Sequence, residues 1–101
     1  MNDETVARVV TVSNPQGLHA RPAEMFVRMA NQFEARIEVI KDGECVNGKS
    51  ILEILTLFAV QGTQLSIRAT GCDASDAVKS LTELFAEGFA EQAEQQVSDE
   101  K

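Results

Sequence analysis

The chain of 101 residues has no tryptophan and no tyrosine, and only one histidine, two prolines and two cysteines. Cys45 and Cys72 are too few for the disulfide framework of a small secreted domain, and they lack the C-x-x-C spacing of a redox pair. The expectation is reduced, buried thiols in a cytoplasmic protein. A single histidine and no cluster at ligand spacing leave no metal site, and no pattern asks for a cofactor. Basic residues number 9 against 16 acidic, a formal net charge of −7, so nothing supports nucleic-acid binding through a basic field. No apolar run approaches the ~20 residues of a membrane span. The first residues, Met1 to Thr5, are polar and acidic, without the apolar region of a signal peptide.

What remains suits one packed domain. Apolar residues make up 44% of the chain, which is enough for a core and too many for wholesale disorder. The charge is uneven. Residues 83–101 carry a net −5, whereas residues 1–82 hold 10 acids and 8 bases and are nearly balanced. The expected organisation is a folded body over residues 1–90 and an acidic, flexible tail over 91–101.

Hydrophobic periodicity divides the body into seven elements. Val6–Val12 is dense in β-branched residues and reads as a strand, and Asn14-Pro15-Gln16-Gly17 as a turn. From Pro22 the apolar positions Phe26, Met29, Ala30 and Phe33 follow a helical stripe. Ala35–Ile40 alternates as a half-buried strand, Asp42-Gly43 signals a hairpin, and Cys45-Val46 begins the return. Ile51–Phe58 reads as a compact helix with Ile51, Ile54 and Phe58 on its inner face, ended by Gly62. Leu65, Ile67 and Ala69 mark a further strand. Asp73 is placed to cap a helix whose inner face is Ala77, Val78, Leu81, Leu84 and Phe85, with Gly88 as its C-terminal cap. The order β-α-β-β-α-β-α predicts an α+β two-layer domain, an antiparallel sheet with one wet face and three helices on the other.

His19 is the residue best placed for chemistry. It stands in Gly17-Leu18-His19-Ala20-Arg21-Pro22-Ala23, and Pro22 is tolerated only in the first turn of a helix. His19 therefore lies at or just before a helix N-terminus, where backbone N–H groups lack intrahelical partners and favour an anion. Arg21 adds a planar cation suited to phosphate. An imidazole in that setting can be a nucleophile that accepts a phosphoryl group. The plainer alternative is a surface histidine that merely caps a helix.

A second pattern competes. Gly43 to Ser50 satisfies G-x-x-x-x-G-K-S, which alone would place Lys49 on nucleotide phosphates and Ser50 on Mg²⁺. Cys45-Val46 instead reads as hairpin strand, no apolar strand ending in aspartate follows, and the chain is short for the parallel sheet that houses such a loop. The nucleotide reading is therefore set aside.

The segment Gly17 to Ala23 resembles the active-site signature of HPr, the histidine phosphocarrier of the phosphoenolpyruvate-dependent sugar phosphotransferase system. Asn47-Gly48-Lys49-Ser50-Ile51-Leu52 resembles the regulatory serine region of that family. The likeness spans about residues 5–90. It implies an open-faced two-layer sandwich, a four-stranded antiparallel sheet covered on one face by three helices. It also implies a carrier without turnover of its own, monomeric and exposed at His19, because two different active sites have to reach that residue. By this resemblance His19 takes a phosphoryl group on Nδ1 from enzyme I and passes it to an enzyme IIA domain. Arg21 and the backbone N–H groups of Ala20 and Arg21 would steady the group.

Ser50 opens the helix at Ile51 and is a natural N-cap. The resemblance adds regulatory phosphorylation there by a bifunctional HPr kinase/phosphorylase. Leu52 falls about 100° off the buried face of its helix, and with Leu55 it matches the family's exposed hydrophobic pair, a partner-docking patch. The chain departs from the family at Gln16, in its longer acidic tail, and in two features that bear on function. Glu53 puts a carboxylate inside the docking helix, and the ending Leu84–Phe89 is closer to the nitrogen-related paralogue NPr. They keep open a regulatory binding protein whose phosphorylation state selects its partners.

Overall fold

Strand β1 (Glu4–Thr11) points Val10 into the core and leaves Val9 in water. Its β-branched residues suit a half-buried pleat. This computed structural model describes residues 4–90, so residues 1–3 and the expected tail over 91–101 lie outside the described residues. Helix α1 spans Ala20–Ala30, β2 Arg36–Lys41, β3 Glu44–Asn47, α2 Ile51–Leu55, β4 Gln64–Gly71 and α3 Ala74–Ala86, with a short 3₁₀ turn at Gly88–Ala90. The sheet order is β1-β4-β2-β3, and each neighbouring pair is antiparallel.

Alternation decides the buried face. Ile37, Val39, Val46, Leu65, Ile67 and Ala69 are all buried, and Val39 lies opposite both Val46 and Ile67. The three helices cover this face with Ala23, Phe26, Ile54, Ala77, Val78, Leu81 and Phe85. Phe89 closes the end of the core by packing edge-on against Phe85, whose ring meets Phe26 in turn. Gly88 takes a left-handed φ of 62° directly after Glu87, the C-cap of α3.

Three expectations change. Helix α2 stops at Leu55 instead of running to Phe58. The Thr56 hydroxyl donates to the Glu53 carbonyl at 2.6 Å, and the following bonds tighten to i→i+3, Leu57 N–H to Ile54 O and Phe58 N–H to Leu55 O. The tighter winding turns Leu57 under Ile54 and expels Phe58. Leu57 is 2% exposed and Phe58 79%.

Asp73 does hold the N-cap position of α3, but its side chain makes no cap bond there. Its two oxygens accept the backbone N–H groups of Glu34 and Ala35, each at 2.9 Å, and so pin the α1–β2 connection to the start of α3. Both cysteines are exposed instead of buried. Cys45 alternates with Val46 and so stands on the wet face of the sheet, and Cys72 follows the end of β4.

Candidate functional site

The loop carrying His19 is held by one close backbone approach. Leu18 N–H donates to Ala59 O at 2.8 Å, Gly17 N–H to Asn14 O at 3.0 Å, and the Asn14 amide to Gly17 O at 2.6 Å. Gly17 has φ +75°, and a Cβ there would stand 2.5 Å from Ala59 O and 2.9 Å from the Val60 Cα. Only glycine combines that conformation with that approach. Buried Leu18 then anchors the loop, and helix α1 begins.

His19 is the N-cap of α1. Its backbone is extended (φ −85°, ψ −165°), its carbonyl accepts Ala23 N–H at 2.9 Å, and its side chain makes no cap hydrogen bond. His19 thus holds the N-cap position that the plainer alternative gave it, and the position at the helix mouth holds as well. Pro22 falls in the first turn and is buried, where its missing N–H costs nothing. Ala20 and Arg21 are exposed and contribute the N–H groups that precede the first helical bond. Half-buried His19 thus stands at the positive end of an 11-residue helix, two residues before exposed Arg21. That arrangement can receive an anion and keep its nucleophile accessible.

His19 shares a shallow depression of about 340 Å³ with Gln16, Leu18, Leu55, Phe58 and Val60. Sequence reasoning placed Leu52 and Leu55 here. Leu52 is 73% exposed but stands outside the depression, whereas half-buried Leu55 lines it. Phe58 and Val60 were missed. The alternation Leu57 in, Phe58 out, Ala59 in, Val60 out could have revealed them, had the helix been ended at Leu55.

Ser50 is the N-cap of α2 as expected, its hydroxyl accepting Glu53 N–H at 3.2 Å. Glu53 also accepts Asn47 N–H at 2.8 Å, so this carboxylate closes the β3–α2 turn and is partly engaged within the chain. Ser50→Ala is expected to lower stability by about 1 kcal/mol in urea titration. A loss indistinguishable from zero would mean that the cap adds nothing. Lys49 points away from any phosphate cradle, since its ammonium donates to Phe33 O at 2.7 Å. Gly43 lies in the hairpin turn and Cys45-Val46 within β3. The P-loop pattern is therefore a hairpin and a cap.

The resolved shifts in acidity lie on the wet face of the sheet. The Arg68 guanidinium, 2.8 Å from Glu38, holds the Glu38 carboxyl below its usual range. Partial desolvation, and then Glu38, push the Cys45 thiol up, so it is a poor nucleophile at neutral pH. The Glu38 contribution is present above the unfolded carboxylate pKa and fades as pH falls through the lowered folded value. Because the pair faces water, Glu38→Gln is expected to reduce stability at pH 7 only slightly and at pH 2 not at all. Urea titrations at the two pH values check this. No group of histidine, cysteine and acidic residues that could hold a metal occurs among the described residues. No described helix is long and apolar enough to cross a membrane.

Comparison with known proteins agrees with this geometry. A family model described as "PTS HPr component phosphorylation site" matches residues 6–87. The phosphocarrier protein HPr of Buchnera aphidicola subsp. Acyrthosiphon pisum is 38% identical over 78 residues, 77% of this chain and 92% of that protein. The phosphocarrier protein HPr of Neisseria meningitidis serogroup A is 37% identical over 82 residues, 81% of this chain and 92% of that protein. The crystal structure of a phosphocarrier protein HPr from Bacillus anthracis superposes with a TM-score of 0.77 at 42% identity, covering 80% of this chain and 96% of that one.

Proposed function

The chain belongs to the HPr phosphocarrier family of the phosphotransferase system, and from that premise we propose that it relays a phosphoryl group through His19. The group enters from phospho-enzyme I, charged by phosphoenolpyruvate, and leaves to an enzyme IIA domain. The observation that carries this reading is the placement of the sole histidine, partly exposed, at the N-terminus of α1 with Arg21 two residues on.

The chemistry is an in-line displacement at phosphorus. The imidazole Nδ1 forms the new P–N bond with its lone pair as the bond to the donor histidine of enzyme I breaks. That donor nitrogen keeps the released pair. In onward transfer a IIA nucleophile attacks the same phosphorus and His19 leaves. The carrier thus needs no general base. Its part is to hold the anion with the N–H groups of Ala20 and Arg21 and with the Arg21 guanidinium. Leu55 and exposed Leu52 offer apolar surface for the docked partner. The protein acts as a cytoplasmic monomer, because a small exposed site has to fit two partners in turn.

Ser50 adds a regulatory site to this reading. Its hydroxyl stands at the mouth of α2, and a phosphate there would meet the Glu53 carboxylate, adding repulsion beside the docking surface. Incubation with an HPr kinase/phosphorylase and mapping of the phosphopeptide tests it. The expected product is modified at Ser50 and accepts phosphate from enzyme I more slowly, and an unmodified Ser50 would remove the claim.

A further inference from the structure

We propose that Phe58 is the anchor through which enzyme I recognises this carrier, a specificity-determining residue within the relay on which the inference rests. Phe58 is the most exposed of the large hydrophobic side chains in the described residues, at 79%. It also has φ +48°, a left-handed conformation that glycine adopts freely and a phenylalanine adopts at a cost. Burial of its neighbours fixes the outward turn at this position, but it does not explain why a phenylalanine stands there in water on a backbone that glycine would adopt without strain.

The surroundings hold it there. Leu57 and Ala59 on either side are buried at 2% and 4%. The Lys41 ammonium donates to Leu57 O at 2.8 Å, and Leu18 N–H donates to Ala59 O at the same distance. The chain therefore has to reverse at residue 58, and the reversal aims the ring outward. Such enforced strain concentrates at functional sites.

The position of Phe58 decides its occupant. Phe58 lines the same depression as His19. A donor that brings its phosphoryl group within bonding reach of the imidazole has to cover that depression. Water left over an exposed aromatic ring would be expelled at the same moment, the usual source of a binding hot spot. The partner surface that fits is an apolar pocket beside a phosphoryl-bearing histidine. Enzyme I is the assigned occupant because every phosphoryl group enters through it, whichever acceptor follows.

The test sets binding against stability in the full chain. Phe58→Gly removes both ring and strain, Phe58→Ala removes only the ring, and Phe58→Tyr keeps the aromatic. Transfer from phospho-enzyme I is followed as a function of carrier concentration, and melting temperature is recorded for each protein. The expected result is a KM raised by about tenfold or more for Gly and Ala, kcat within about twofold, and near-wild-type KM for Tyr. Phe58→Gly is expected to melt no lower than wild type, so lost recognition could not be blamed on unfolding. Unchanged KM in Phe58→Gly overturns the inference. So does unchanged entry with slowed onward transfer to a IIA domain, which would move the anchor to the acceptor. Failure of the wild type itself to be labelled sinks the relay and this inference together, a result distinct from either of the others.

Discussion

His19→Ala is expected to abolish phosphorylation by phosphoenolpyruvate and enzyme I, measured as the intact mass of the carrier after mixing. The wild type gains one acid-labile phosphoryl group, and the variant gains none at any time. The effect is all-or-none because the chain has no second histidine to take over. Cys45, on the wet face of the sheet, is held toward the thiol form by desolvation and by Glu38. Alanine keeps the backbone carbonyl that accepts Ala23 N–H, so helix α1 is still started. A circular dichroism spectrum matching wild type would confirm that chemistry and not folding was lost. Labelling of the variant would show that another residue carries the group. A wild type left unlabelled by enzyme I from the same source would refute the relay, leaving a protein that works by binding alone.

Gly17→Ala is the second large expected loss, and it is a loss of architecture. A methyl group would be forced to 2.5 Å from Ala59 O, a backbone atom that cannot swing away. It would also have to hold φ +75°, where an alanine is strained whatever the space. Together these are expected to cost about 2–4 kcal/mol. For a domain of this size that corresponds to a melting temperature lower by roughly 10–25 °C. The chain has one way to relieve the clash, by parting the 14–18 loop from Ala59 and Val60. That movement carries His19 out of the depression it shares with Leu55 and Phe58. Transfer from enzyme I should therefore slow even at temperatures where the variant is folded. Calorimetry and a transfer time course measure the two effects separately. A variant that melts like wild type would show that the close approach of the loop is not required.

Much of this molecule is legible in its sequence, and the reason is periodicity. The alternation of Leu65, Ile67 and Ala69 put the central strand and its buried face in place, because a pleat turns over every residue. The stripe from Pro22 through Phe26 to Ala30 marked α1 in the same way. Pro22 then located His19, since a proline inside a helix can be accommodated only in its first turn. Ser50 was readable as a cap because a short hydroxyl before an apolar run has an N–H to accept. The charge imbalance of residues 83–101 is likewise a property of sequence alone.

Other features depended on contacts distant in the chain. Asp73 sits where a cap belongs, but Glu34 and Ala35 present two backbone donors to it, and two aligned donors outcompete one. Glu53 looked like a stray carboxylate in a docking helix until Asn47 N–H met it. The end of α2 at Leu55, and with it the exposure of Phe58, follows from the need to bury Leu57 and Ala59 and to bring Ala59 O against Leu18 N–H. The sequence by itself determined the order of the elements, the buried face and the place of His19 at a helix mouth, because those follow from spacing along one chain. The tertiary structure decided which surface surrounds that histidine, because the loop at Gly17 and the segment at Phe58 take their shape from each other.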